Sequence, residues 1–131
     1  MIVLDASAAL EVLLNQPAAG SVRSLLADPA QSLHAPDLIW IEVASALRRF
    51  VLHGDITDAR GRAALDDLGD LGLRTYPLQP LAVAALALRD QCSTYDASYV
   101  ALATELDCPL VTGDVRLARG VEDTLEVIVV D

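Results

Sequence analysis

The chain contains no lysine, so all nine of its basic residues are arginines, and they stand against 19 acidic residues. The formal net charge of −10 argues against non-specific binding of nucleic acid through the overall field of the protein. Any nucleic-acid role needs local basic groups or bound metal ions, and a cationic partner is the easier expectation. The lack of lysine also argues against an aspartyl phospho-acceptor or phosphatase built on Asp5, as does Ser7 two residues later, where that pattern needs a second acid.

Several other features are scarce or missing. Only two cysteines occur, Cys92 and Cys108, at a spacing typical of neither a metal site nor a redox site. The longest apolar run, 81–88, is too short to cross a bilayer. Because no basic and apolar leader opens the chain, we expect a cytoplasmic protein with reduced thiols and no membrane contact. Gly-rich phosphate loops, nucleophile elbows and Cys/His pairs are also missing.

What remains is typical of a globular α/β protein. The chain has 131 residues, 53% of them hydrophobic, which predicts a single domain over residues 1–131. Strands are expected at 2–4, 32–35, 74–77, 110–112 and 126–130. Helices are expected at 7–14, 18–27, from the cap Asp37 to about His53, from 57 to about 70, 80–92, 95–106 and 115–119. This alternation predicts a mostly parallel sheet of four or five strands with helices on both faces.

Four acidic residues lie at the ends of apolar stretches or within them: Asp5, Glu42, Asp96 and Asp114. Asp5 and Asp114 each follow a predicted strand, and parallel strands bring both to the same edge of the sheet, where ligands bind. Each of these two residues is also a good helix N-cap, and Asp96 suits the first turn of a helix. Gathered carboxylates repel one another unless a divalent cation or a shared proton lies between them. The pattern therefore leaves a metal site and ordinary helix-start residues both open.

Glu42 is harder to explain as a structural residue. It interrupts an apolar helix, and the nearest basic residues, Arg48 and Arg49, lie beyond the reach of a helical ion pair. Glu42, Ser45 and Arg49 share one helical face. That face either meets solvent or lines a cleft, and the spacing alone fits both.

Four segments together resemble the signatures of PIN domains, and more narrowly those of VapC-type toxins of bacterial toxin–antitoxin pairs. They run in order through most of the chain: Met1-Ile2-Val3-Leu4-Asp5-Ala6-Ser7, Glu42-Val43-Ala44-Ser45-Ala46-Leu47-Arg48-Arg49, Tyr95-Asp96-Ala97-Ser98-Tyr99-Val100-Ala101-Leu102-Ala103 and Leu110-Val111-Thr112-Gly113-Asp114. Each is loose alone, and the ordered set is fairly specific. One departure is Ser45, which stands where relatives often carry Asn.

The resemblance implies a PIN-like three-layer α/β/α fold and an Mg²⁺- or Mn²⁺-dependent endoribonuclease using one or two ions. Asp5, Glu42, Asp96 and Asp114 match the acidic quartet of the family, with Ser7 and Thr112 as accompanying hydroxyl residues. Such proteins are commonly homodimers held inactive by a cognate VapB-type antitoxin, whose basic segment enters the acidic cleft. Such an ion can activate water for attack on RNA. Candidate phosphate contacts are Arg48, Arg49, Arg116 and Arg119. The alternative function is a catalytically silent PIN-like module that binds proteins.

Overall fold

Five short parallel strands form the centre of the computed structural model, which describes residues 1–131. Along the sheet they are arranged in the order β3-β2-β1-β4-β5, and every neighbouring pair is parallel. The strands are β1 (Ile2–Leu4), β2 (Leu33–Pro36), β3 (Arg74–Tyr76), β4 (Leu110–Thr112) and β5 (Val127–Val129). The predicted α/β class and parallel sheet are confirmed, and the sheet has five strands.

Seven α-helices connect and flank the strands. They are α1 (Ala6–Leu13), α2 (Ala19–Leu26), α3 (Ile39–Leu52), α4 (Asp58–Asp70), α5 (Ala82–Ala87), α6 (Thr94–Glu105) and α7 (Val115–Val121). Helices α1 to α4 pack on one another, whereas α5 packs on α6, which in turn contacts β1, β2 and β4. No helix is both long enough and apolar enough to cross a membrane.

The core is one cluster of 26 buried residues centred on β1, β4 and α6. Both strands are buried at every position, as expected for the centre of a parallel sheet covered on two faces. Helix α6 is buried continuously from Ala97 to Ala103, because it lies between the sheet and α5. Its first turn reaches the carboxyl edge of the sheet, and this places Asp96 there.

The prediction that Asp37 caps the long helix is wrong. The helix begins at Ile39 with Leu38 at its N-cap, and no side chain bonds to the free N–H groups. The backbone N–H of Asp37 instead donates to the carbonyl of Tyr76, 2.8 Å away. This bond continues the pairing of β2 with β3 by one residue, so the chain turns into the helix later than the local pattern predicts.

The single helix predicted over 80–92 is also wrong. A 3-10 turn at Gln79–Leu81 precedes α5, which ends at Ala87, and turns follow as far as Cys92. A packing contact explains the early end. The carbonyl oxygen of Gln91 lies 2.6 Å from the point where a Cβ on Gly120 would stand, so this turn is pressed against α7.

Candidate active site at the carboxyl edge of the sheet

The order of the strands creates a crevice between β1 and β4. From β1 the chain builds outward through β2 and β3 on one side, whereas β4 and β5 lie on the other. Crevices at such a change of direction, outside the carboxyl ends of the strands, are the usual ligand sites of open α/β sheets. Asp5 directly follows β1, and Asp114 comes two residues after β4. The structure therefore brings these two carboxylates to one crevice, as the sequence predicts.

Asp5 is fixed by hydrogen bonds to both of its oxygens. Its Oδ1 accepts from the Ser7 hydroxyl at 2.6 Å and from the Ala8 backbone N–H at 2.9 Å. Its Oδ2 accepts from the hydroxyl of Thr112. The side chain is 5% exposed, so these donors replace nearly all of the water that a free carboxylate would bind. Asp5 is thus a buried, oriented carboxylate and also the N-cap of α1.

The same two hydroxyls connect Asp5 to the loop after β4. The Ser7 hydroxyl accepts from the N–H of Gly113 at 2.8 Å, and the Thr112 hydroxyl accepts from the N–H of Asp114 at 2.9 Å. Both hydroxyl protons point to Asp5, so the 3.3 Å separation of the two oxygens is only a close approach. We call this arrangement of Asp5, Ser7, Thr112 and the N–H groups of 113 and 114 the hydroxyl clamp.

The other three acids also lie where helices begin. Asp114 is the N-cap of α7 and accepts from the N–H groups of Arg116 and Leu117. Glu42 is in the first turn of α3, and Asp96 is in the first turn of α6, where Ser93 provides the cap. Helix N-termini carry partial positive charge, which favours a carboxylate at each of these positions.

All four acids line one cleft. The helical face that carries Glu42 and Arg49 therefore faces the cleft, which resolves the alternative left open by their spacing. We call the cavity the acidic cleft, and its walls are Asp5, Ala6, Ser7, Leu10, Glu42, Ala46, Arg49, Asp96, Tyr99 and Asp114.

Burial, together with neighbouring negative charge, raises the pKa of three of the cleft carboxylates. Burial raises the pKa of Asp5, and the charge of Asp96 adds to this shift, although the hydrogen bonds from Ser7, Thr112 and Ala8 oppose it. Burial also raises the pKa of Glu42, with Asp96 and Asp5 adding to the effect. For Asp96, burial and the charge of Asp114 act in the same upward direction on the pKa. The cleft thus holds negative charge at a cost that a cation would offset.

Two polar atoms of the cleft have no partner. Oε1 of Glu42 and the hydroxyl oxygen of Tyr99 are buried without a hydrogen bond. Tyr99 is 1% exposed, and burial followed by the nearby Glu42 raises its pKa, so its hydroxyl keeps its proton. No role for Tyr99 is predicted from the sequence. Its spacing of three residues from Asp96 on a helix was the available signal, because residues i and i+3 share a face.

The four candidate arginines do not share one location. Arg49 lines the acidic cleft, and Arg116 lines a second cavity that shares Asp96 and Asp114 with it. Arg119 lies in a different hollow against β5, and Arg48 is exposed and lines neither cavity. The structure therefore brings two of the four close to the acids. Ser45 is exposed on α3 and does not line the cleft.

The donor set of the cleft suits a hard divalent cation. Four carboxylates and two hydroxyls are all oxygen donors, which Mg²⁺ and Mn²⁺ prefer, and Oε1 of Glu42 has no protein partner. As the side chains stand, no three acidic, histidine or cysteine groups are close enough together to hold one ion. The residues fit such an ion by chemistry and by location, and Mg²⁺ keeps several waters and needs only one or two carboxylates directly.

Comparison with known proteins identifies related chains. The family model described as PIN domain matches residues 2–122. A VapC ribonuclease of Mycobacterium bovis is 47% identical over 118 residues, covering 90% of this chain and 89% of that protein. Ribonuclease VapC12 of Mycobacterium tuberculosis is 40% identical over 120 residues, covering 92% of each.

Solved structures share the fold at lower identity. VapBC2 from Rickettsia felis, bound to a DNA fragment from its promoter, matches with a TM-score of 0.72 at 13% identity over the full length of both chains. FitAcB from Neisseria gonorrhoeae matches with a TM-score of 0.68 at 18% identity, covering 98% of this chain and 96% of that one.

Proposed function

The chain belongs to the PIN-domain family, and we propose that it is a metal-dependent endoribonuclease, the toxin of a toxin–antitoxin pair. The observation that carries this proposal is the acidic cleft, in which Asp5, Glu42, Asp96 and Asp114 converge from four separate elements. Relatives at 40–47% identity are named VapC ribonucleases. Because the protein carries a net charge of −10, its negative charge must be neutralised locally before RNA can bind. Cations held by the carboxylates of the cleft would provide that neutralisation.

In this mechanism Asp5 and Asp96 would be the principal residues that hold Mg²⁺ or Mn²⁺, and Glu42 and Asp114 would complete the site for one ion or two. When bound, the ion supplies Lewis acidity for hydrolysis of an RNA phosphodiester. The hydroxyl clamp keeps Asp5 in one orientation, so its side chain would lose little conformational entropy when an ion binds. Arg49 and Arg116 line cavities that also contain the acids, and they are the side chains that we expect to contact RNA phosphates.

Asp96→Asn is the sharpest test of this function. Asp96 is half-buried, its helix is capped by Ser93, and its carboxylate supports no backbone group, so the variant should fold. We expect RNA cleavage with Mn²⁺ or Mg²⁺ to fall by at least about 10²-fold, as for loss of a principal charge-stabilising group. Asp5→Ala should also abolish cleavage, although it additionally breaks the hydroxyl clamp.

Asp66→Asn is the matched control, because Asp66 is an exposed acid on α4 outside the cleft. It removes the same charge and should leave cleavage unchanged. Equal cleavage by Asp96→Asn and the parent protein would indicate a contaminating nuclease. No cleavage by the parent, together with no shift of its melting temperature by Mn²⁺, would favour the silent binding module.

The partner we propose is a VapB-type antitoxin whose basic segment enters the acidic cleft. The net charge supports this, since a positive peptide gains long-range attraction to the protein. A synthetic Arg-rich peptide should bind more weakly as salt rises from 50 to 300 mM. Asp96→Asn should weaken the binding and Asp66→Asn should not. Binding that ignores both salt and the cleft acids would contradict this partner.

A homodimer is also proposed. Large apolar side chains stand exposed on α5, where Val83 is 83% exposed and Leu86 63% exposed, and a second copy would cover them. Light scattering after size exclusion should give twice the 13.9 kDa mass. Val83→Glu should then reduce the mass to that of one chain, whereas a monomeric parent protein would contradict the proposal.

A further inference from the structure

One donor and one acceptor without partners are buried in the same cleft. The hydroxyl of Tyr99, on α6, is a protonated donor inside the core, and Oε1 of Glu42, on α3, is an acceptor. Both residues line the acidic cleft. A buried hydroxyl without a partner lowers the stability of the fold, and a buried carboxylate oxygen without a partner lowers it further. Buried polar groups in native structures are nearly always hydrogen-bonded, and Glu42 lies near enough to Tyr99 for each group to act on the pKa of the other.

The neighbouring acids already have other functions. Asp5 accepts hydrogen bonds from the two hydroxyls of the clamp and from the N–H of Ala8, and Asp114 caps α7. Glu42 is the cleft acid with a buried oxygen, Oε1, that has no hydrogen-bond partner. The side chain of Glu42 has three rotatable bonds, so another group is needed to hold its carboxylate in position for the ion. Tyr99 is suited to do so, because its ring is fixed by burial and its hydroxyl is near enough to Glu42 for that charge to raise the pKa of Tyr99.

We propose that Tyr99 is the positioning residue for Glu42: its hydroxyl donates a hydrogen bond to the Glu42 carboxylate and holds it in the acidic cleft. Tyr99 acts through Glu42 and contacts neither the RNA nor the ion. Its link to catalysis rests on the proposed ribonuclease function, whereas the hydrogen bond itself does not.

A mutant cycle tests the hydrogen bond in the metal-free protein. Tyr99→Phe keeps the ring and removes only the hydroxyl, and Glu42→Ala removes the acceptor at a helix position where Ala is well tolerated. In the parent background Tyr99→Phe should lower the melting temperature by about 4–7 °C, as loss of one hydrogen bond in a chain of this size does. In the Glu42→Ala background the same change should have no effect or raise it.

Tyr95→Phe is the matched control, since Tyr95 lies on the same helix with 66% of its side chain exposed. It should leave the melting temperature and the cleavage rate unchanged. If Tyr99→Phe raises the melting temperature of the parent, or changes both backgrounds equally, the hydroxyl has no partner and the proposal is wrong.

The functional readout separates positioning from packing. Tyr99→Phe should weaken Mn²⁺ affinity, measured by calorimetry, and lower kcat roughly tenfold with little change in KM, as loss of one hydrogen bond implies. Combined with Glu42→Ala it should cause no further loss. Unchanged affinity and kcat in Tyr99→Phe would overturn the positioning role. A parent protein that neither binds Mn²⁺ nor cleaves RNA defeats the proposed function, and the mutant cycle then still decides the hydrogen bond.

Discussion

Replacing Thr112 by valine tests the hydroxyl clamp directly. Valine has nearly the same shape as threonine, so the change removes the hydroxyl without leaving a large cavity. Thr112 is completely buried, and its hydroxyl donates to Asp5 and accepts from the N–H of Asp114. The variant therefore loses one bond to a carboxylate and leaves one backbone N–H without its acceptor.

The expected cost follows from those two losses. A hydrogen bond to a charged group contributes about 1.5–3 kcal/mol to stability. The backbone N–H of Asp114, left without its acceptor, adds a smaller cost because Asp114 is only half-buried. A total near 3 kcal/mol corresponds to a fall in melting temperature of about 11 °C for 131 residues. The cost should also grow as pH rises, because the lost bond favours the charged form of Asp5.

Urea unfolding at pH 5 and pH 8 in EDTA measures both effects. Thr104→Val is the control, because it makes the same chemical change on α6, where the hydroxyl bonds only to the carbonyl of Val100 at 2.9 Å. The control should cost less than about 1 kcal/mol and show no dependence on pH. Equal free energies of unfolding for the two variants, at both pH values, would refute the clamp as a source of stability.

Two further changes have expected outcomes. The folded protein raises the pKa values of Asp5, Glu42 and Asp96, so it binds protons more tightly than the unfolded chain does. The melting temperature of the metal-free protein should therefore rise as pH falls from 8 through the raised pKa values towards the ordinary values of 3.8 and 4.5. Mn²⁺ should flatten this dependence on pH, and a melting temperature that increases towards pH 8 without metal would contradict the prediction. Gly120→Ala should lower the free energy of unfolding by about 1–3 kcal/mol, because its Cβ would lie 2.6 Å from a backbone carbonyl oxygen. Gly20→Ala is the control: its Cβ meets nothing within 4 Å, so this substitution should be neutral or stabilising. Equal effects of the two substitutions in urea unfolding would show that the carbonyl at Gly120 can move away without loss of stability.

The strands were predictable because their signal is local. Short apolar runs such as Ile2–Leu4 and Leu110–Thr112, bounded by breakers, read as buried strands in the sequence and are strands in the structure. The errors occurred where a distant contact decides the boundary. The N–H of Asp37 donates to the carbonyl of Tyr76, which keeps Asp37 in the pairing of β2 with β3. The turn after α5 packs closely on α7, where the carbonyl of Gln91 approaches Gly120. Neither partner is visible in the local pattern.

The site was predictable in part. Parallel strands are enough to bring Asp5 and Asp114 together, since both follow strand ends. Glu42 and Asp96 lie on helices, and their place in the cleft depends on how α3 and α6 pack, so only the family resemblance linked them to the other two. The hydroxyl clamp was out of reach of any local reasoning, because Ser7 and Gly113 are 106 positions apart in the chain.

The helix-start and cleft interpretations of the four acids describe one arrangement. Asp5 and Asp114 cap α1 and α7, and Glu42 and Asp96 occupy the first turns of α3 and α6, so four helix N-termini point towards the cleft. Each N-terminus favours a nearby carboxylate by about 0.3–1 kcal/mol, which offsets part of the repulsion between the acids. The pKa values of Asp5, Glu42 and Asp96 are still raised, first by burial and then by the neighbouring negative charges, so holding these carboxylates ionised remains unfavourable. Capping therefore helps the fold to tolerate the cluster, and a bound cation would relieve the remaining cost of burial and repulsion.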